Sequence, residues 1–173
     1  MKDGLPAKIA AERTMAGAFG LLRAYPTIGD FLAYQYVTDL NYSTLMRFEE
    51  DEFTVPGPGA REGIEKCFRD LGGKNLAWII QQVARVQKDA FAALGLNFRD
   101  LWGRPLQFID CQNLFCEVAK YARVRHPEFN SATGRTRIKQ RFVPVPEPID
   151  FAFPPRWRLA VSPRVPLRHV AGL

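Results

Sequence analysis

Residues 109–123, "IDCQNLFCEVAKYAR", set out side chains that can do chemistry in helical register. Asp110, Asn113, Glu117 and then Lys120 or Tyr121 fall at i, i+3, i+7 and i+10 or i+11, hence on one helix face. Two carboxylates, an amide and an amine on one face can read a base edge, or position an amine beside its proton acceptor. Asp110, Glu117, Lys120 and the upstream Asp39 are therefore candidate catalytic residues. Asn113, Tyr121 and Asn41 are candidate substrate contacts. The same charges also suit a solvated face, or an ion-pair network of Glu117 with Lys120 and Asp39.

Two turns and one charged segment add to this set. "VPGPGA" places Gly57 and Gly59 around Pro58 at the start of a helical pattern, next to the acidic residues 49–52. Such a turn can aim helix N–H groups at a phosphate or diphosphate, or it can simply be a rigid corner. "LLRAYPTIGDFLAYQYVTDL" joins two amphipathic stretches through a short turn holding Thr27 and Gly29. A helix, a glycine turn and a second helix form the pattern that offers free N–H groups to a DNA phosphate, though bundles also use plain turns of this kind. "RTRIKQR" places Arg135, Arg137, Lys139 and Arg141 at alternate positions, candidate DNA-phosphate contacts.

The elements that must hold these residues are helical. The spacing predicts helices over 6–24, 30–40, from 60 through "AREGIEKCFRDL", 76–94, and from Pro105 through "KYAR". No strand pattern is convincing before residue 126. The texture then changes, and residues 144–173 hold seven of the thirteen prolines, which predicts an extended or disordered tail. The expected organisation is an all-α helical domain over 1–145 followed by a basic, Pro-rich tail over 146–173.

Composition narrows the function classes. Apolar residues make up 47% of the 173, enough for a real core. No run approaches the ~20 apolar residues of a membrane span. No signal-peptide core opens the chain, so a cytoplasmic protein is expected. Two histidines and three cysteines without CxxC spacing disfavour a zinc site and predict reduced, largely buried thiols. The net charge is +6, with residues 1–119 at −2 and residues 120–173 at +8. Positive charge concentrated in the last third points to a polyanion such as DNA, a basic soluble tail being the plainer alternative.

Residues 21–60 resemble the hairpin-to-catalytic-loop segment of helix-hairpin-helix DNA glycosylases. The place of those enzymes' aspartate falls on Pro56 or Gly57, so base excision is not expected. A closer resemblance covers most of residues 18–145. "GDFLAYQYVTDLNYS", "FTVPGPGAREGIEKCF", "IDCQNLFCEVAKYAR" and "RIKQRF", in that order, resemble the helical domain family of phage 5-hydroxymethyluracil DNA kinases and of alpha-glutamyl/putrescinyl thymine pyrophosphorylases. The resemblance implies a helix-hairpin-helix, glycosylase-like bundle acting in thymine hypermodification, where hydroxymethyluracil in DNA is diphosphorylated and an amine then displaces the diphosphate. It also implies a site at the "CEVAKY" block. Members carry a further helical segment ahead of the position of residue 10, so a partner chain supplying N-terminal helices or a kinase is expected. No GxxxxGK[ST] loop is present, so the chain is not expected to be the kinase by itself. A non-catalytic DNA- or partner-binding module, completing an enzyme on another chain, fits the same features. The sequence names no cofactor.

Overall fold

The computed structural model describes residues 3–101, 103–129, 143–144 and 152–159. Within them lie six α-helices: α1 Leu5–Ala11, α2 Met15–Arg23, α3 Asp30–Tyr42, α4 Pro58–Cys67, α5 Leu76–Ala93 and α6 Phe108–Arg125. Single 3-10 turns follow at Pro127–Phe129 and Pro155–Trp157. No strand occurs among the described residues, apart from one isolated bridge between Leu101 and Arg104. The described helices include none long and apolar enough to cross a membrane.

The expected helix over 6–24 is two helices. Thr14 breaks it, because its hydroxyl accepts the Gly17 N–H at 3.0 Å and so starts α2 afresh. The helix after the Gly-Pro-Gly turn ends at Cys67, earlier than the pattern suggested, where Phe68 turns extended. Helix α6 begins at Phe108, with Pro105 outside it. Asn75 caps α5 by accepting the Trp78 N–H at 2.8 Å, and Gly95 closes that helix with a φ of 64°.

Two hydrophobic clusters share α6. The first gathers Ile9, Met15, Ala18 and Leu22 from α1 and α2, Ala33, Tyr34 and Val37 from α3, Met46, and Ile109 of α6. The second gathers Ala60 and Ile64 of α4, Ile79, Ile80 and Ala84 of α5, and Phe108, Cys111 and Phe115 of α6. Helix α6 thus presents successive residues to opposite halves of the protein. Its most buried polar residue, Gln112, sits between them.

Helix α4 lies against α6 with almost no side-chain layer between. A Cβ on Gly63 would stand 1.9 Å from the Phe115 carbonyl oxygen, and one on Gly59 would stand 3.0 Å from the Cys116 sulfur. Glycines four apart keep one face of α4 bare so that the two backbones can meet. A buried ion network clamps the same pair. Glu62 of α4 accepts from Arg123 of α6 at 2.7 Å and from Lys66 at 2.9 Å, with all three side chains nearly out of solvent. The Arg123 bond, with Lys66 behind it, outweighs burial and holds the Glu62 carboxyl below the usual range.

Part of the region read as an extended tail is docked. Residues 152–159 pack on the domain through Arg156 and Trp157, and Phe153 lies beside Trp157. The thiols also differ in part from expectation: Cys111 is buried and Cys116 partly so, but Cys67 is exposed at the end of α4.

Two outcomes check this packing. Gly63→Ala should destabilise the protein by at least about 2 kcal/mol, because a methyl group there meets backbone that cannot step aside. Gly20→Ala, in α2 with open space at its Cβ, should stabilise it by roughly 0.5–1 kcal/mol. Urea denaturation of both variants tests the pair, and equal shifts would contradict the close crossing. A carboxyl with a depressed pKa contributes stability above its unfolded pKa and loses it as pH falls through the folded value. Glu62→Gln should therefore cost about 1–3 kcal/mol at pH 7. The gap to the native protein should close as the pH drops below about 4. A gap that does not change with pH would mean that the Glu62 charge is not what holds the pair.

Candidate functional site

The densest polar assembly is centred on Arg104. Its two terminal nitrogens donate to Glu50 and to Asp110, each at 2.8 Å, and its guanidinium lies 4.0 Å from the centre of the Trp157 ring. Trp157 in turn donates its indole N–H to Glu50 at 3.0 Å and meets Tyr42 edge-on. Burial alone would lower the Arg104 pKa, but the bonds to Glu50 and Asp110 outweigh it and raise it, so the guanidinium stays charged. Beside this group, burial pushes the Tyr34 hydroxyl up to about 12 and raises that of Tyr42 as well, so neither supplies a phenolate near neutral pH.

Asp110 is held twice, since it also accepts the Gln107 N–H at 2.8 Å at the start of α6. That places an acidic residue on the positive end of the helix. Asn41 is almost fully buried. Its amide donates to the Phe48 carbonyl at 3.1 Å and accepts the Phe48 N–H at 2.9 Å, which fixes the chain leaving α3. Arg156 reaches the carbonyls of Asn41 and Phe48 at 2.9 and 2.8 Å and ties the C-terminal segment to the same corner. Asp39 is exposed on α3 and takes no hydrogen-bond partner among the described residues.

The rest of the α6 stripe faces solvent. Glu117 and Lys120 pair with each other at 2.5 Å, both at least half exposed, and Tyr121 is 59% exposed. Asn113 is exposed and accepts from Gln112 at 3.3 Å. Asp110 and Tyr121 are eleven residues apart, about 16 Å along the helix axis. Asp110 opens on a 260 Å³ cleft with Phe98, Arg99 and Leu106, whereas Tyr121 borders a separate groove at the other end of α6. The stripe is continuous on the helix but divided between two surfaces.

At the Gly-Pro-Gly turn, Gly57 donates its N–H to Gln112 at 2.9 Å. A Cβ on Gly57 would meet the Phe31 ring at 2.7 Å and the Gln112 side-chain oxygen at 2.9 Å. The backbone approach that the glycines permit is taken up by α3 and α6. Gln112, Arg104, Glu50 and Trp157 are the structural anchors that sequence reasoning missed. Gln112 was hidden because polar residues read as surface, and Arg104, Glu50 and Trp157 because they lie far apart in sequence.

The turn between α2 and α3 is short, and the two helices pack together. Its left-handed position is Thr27, at a φ of 71°, while Gly29 keeps an extended φ of −83° and has open space at its Cβ. No side chain caps the first N–H groups of α3, and Arg23 and Asp30 pair across the turn. Arg135, Arg137, Lys139 and Arg141 lie outside the described residues. Among the described residues no group of three His, Cys, Asp or Glu is placed to hold a metal ion. The thiols are poor nucleophiles: burial, with Asp110 nearby, pushes Cys111 up to about 11, and partial desolvation raises Cys116 and, although its residue is exposed, Cys67.

Comparison with known proteins matches the sequence to a described family. The model of the helical domain of 5-hmdU DNA kinases matches residues 1–131. The 5-hmdU DNA kinase of Bacillus phage SP10 is 30% identical over 103 residues, covering 56% of this chain and 16% of the phage protein. The chain thus matches only a small part of that relative's length. No solved structure matches. With more than half of its residues matched, the chain belongs to the family of the 5-hmdU DNA kinase helical domain.

Proposed function

We propose that this chain is a DNA-binding helical domain serving the modification of hydroxymethyluracil in phage DNA, with the phosphoryl-transfer chemistry carried by a kinase part or partner. The observation that carries this reading is the turn at residues 24–29. It presents the uncapped N–H groups of α3 beside an open Gly29, and a Thr27 held in a conformation that β-branched residues avoid. In this reading the helix-hairpin-helix turn fixes one phosphate and the basic residues 135–141 hold others. The state of the candidate site residues supports a binding role over a catalytic one. Asp110 is neutralised by Arg104, Asn41 is fully engaged by Phe48, and Gly57 is bonded to Gln112. The phage relative, a 5-hmdU DNA kinase, indicates which base modification the domain serves.

A second reading rests on the solvent-facing part of the α6 stripe, Asn113, Glu117, Lys120 and Tyr121. Here an amine attacks the exocyclic carbon of a diphosphorylated hydroxymethyluracil. The carbon–oxygen bond breaks, diphosphate leaves with the electron pair, and Glu117 accepts the amine proton. Mass spectrometry of nucleosides from diphosphate-bearing DNA incubated with the protein and amine donors decides it, since only this reading gives a new amine adduct.

Fluorescence anisotropy with labelled DNA tests the first reading. Affinity should fall steeply between 50 and 200 mM salt. Replacing Arg135, Arg137, Lys139 and Arg141 with Gln should lower the log–log salt slope by roughly 3–4. Gly29→Ala should weaken binding several-fold on every sequence while leaving thermal stability nearly unchanged, because its methyl group meets DNA and no protein atom. No DNA binding, or binding indifferent to all five positions, would overturn the proposal.

A further inference from the structure

The C-terminal end of α6 carries a feature that the hairpin does not use. A groove of about 490 Å³ opens between α4 and α6, within the size range of small-ligand sites. Val118 and Ala122 belong to its lining, as do three aromatic rings: Tyr121, His126 and Phe129. The rings form a ledge, with Tyr121 and His126 centred 5.8 Å apart and His126 and Phe129 6.1 Å apart. The ledge is unusually open, with Tyr121 59% and Phe129 65% exposed. Large apolar rings left in water rather than folded inward mark a surface that something covers.

The open rings, with an unpaired arginine beside them, point to a nucleic acid as the occupant. Lys120 and Arg125 are exposed on the last turns of α6. Arg125 takes no acidic partner among the described residues, whereas Lys120 pairs with Glu117 and His126 with Glu128, both in solvent, where such pairs are weak enough for a phosphate to displace the carboxylate. Lys66 and Glu65 sit on the α4 side, Lys66 already paired with Glu62. The basic run Arg135, Arg137, Lys139 and Arg141 begins six residues after Phe129. Aromatic rings for stacking beside cations that follow a backbone are the combination that binds unpaired bases without reading their sequence. A domain that serves chemistry on a base also needs that base out of the duplex.

We infer that the Tyr121–His126–Phe129 ledge is a stacking site for an unpaired nucleobase of DNA. The inference rests on the DNA-binding reading above and adds a second contact to it. Tyr121 and Phe129 supply the faces, and Arg125 holds a flanking phosphate, joined by Lys120 as it exchanges Glu117 for a phosphate oxygen. Helix α6 then carries one surface at its start, clamped by Arg104, and another at its end that is free to receive a ligand.

The test uses the full chain and oligonucleotides with one 2-aminopurine, either single-stranded or as an unpaired bulge in a duplex. The native protein should bind both more tightly than fully paired duplex and change the fluorescence of the unpaired probe. The double variant Tyr121→Ala with Phe129→Ala should lose roughly five- to a hundredfold in affinity for the unpaired forms. It should keep its affinity for paired duplex and its salt slope. Tyr121→Phe with Phe129→Tyr preserves the rings and should bind like the native protein. Both substituted side chains are largely exposed, and circular dichroism confirms the fold. Equal losses on paired and unpaired DNA, or none on either, would overturn the stacking site while leaving the DNA-binding reading intact. Self-association abolished by the alanine pair would also overturn it, by making the ledge a contact between copies. Absence of any DNA binding would remove both proposals.

Discussion

The rest of the structure depends on the contact between the backbones of α4 and α6. Gly63 leaves no room for even one methyl group against the Phe115 carbonyl, so the two helices meet without an intervening side-chain layer. Such an approach gains dispersion contacts all along the crossing but offers little water-accessible surface for polar partners. The neighbouring groups answer to that constraint. Gln112 satisfies the Gly57 N–H at the mouth of the crossing, and Arg123 and Lys66 neutralise Glu62 beside it. With α4 fixed on one side, α6 has its opposite side free to receive Ile109 into the α1–α3 cluster. One helix thereby joins two cores that would each be small alone.

The Gly-Pro-Gly turn shows how a local motif can be legible in type and ambiguous in purpose. Two glycines around a proline announce that a backbone comes close to something, because only glycine leaves that space. A phosphate and a neighbouring helix make the same demand, and only the fold names the neighbour. Here the space at Gly57 belongs to Phe31 and Gln112, and the space at Gly59 to Cys116. Gly63, which has the tightest contact of all, drew no attention in the sequence, since a lone glycine inside a helical pattern reads as a weak helix former.

Helix existence was legible because apolar spacing is a local signal. The α5 pattern over 76–94 and the α3 pattern from residue 30 came through nearly intact. Boundaries were less so, as at Thr14, where a single hydroxyl taking one N–H outweighed a helical pattern that ran on through it. The polar stripe on α6 is real as geometry, yet its members have separate fates. Asp110 is spent on Arg104 and on the helix start, while Glu117 and Lys120 neutralise each other in solvent. What separates these outcomes is long-range pairing: Arg104 and Trp157 lie more than fifty residues apart, and no helical wheel relates them.

That long-range pairing also changes the meaning of the charge asymmetry. A basic, Pro-rich C-terminal third suggests a tail free to follow a polyanion. Arg156, however, is held by two backbone carbonyls, and Trp157 is pinned between Arg104 and Tyr42, so this part of the segment belongs to the folded domain. The docking works because Pro155 fits the first position of the 3-10 turn while Arg158 takes a left-handed conformation to end it, which presents Arg156 and Trp157 to the body together. Positive charge therefore divides into two kinds. Arg104 and Arg156 are structural, already committed to carboxylates and carbonyls. Arg125, exposed at the end of α6 beside the aromatic ledge and without an acidic partner among the described residues, is a charge left for a partner. Net charge alone would have counted all of them alike; what can reach a phosphate is the part that the fold has not used.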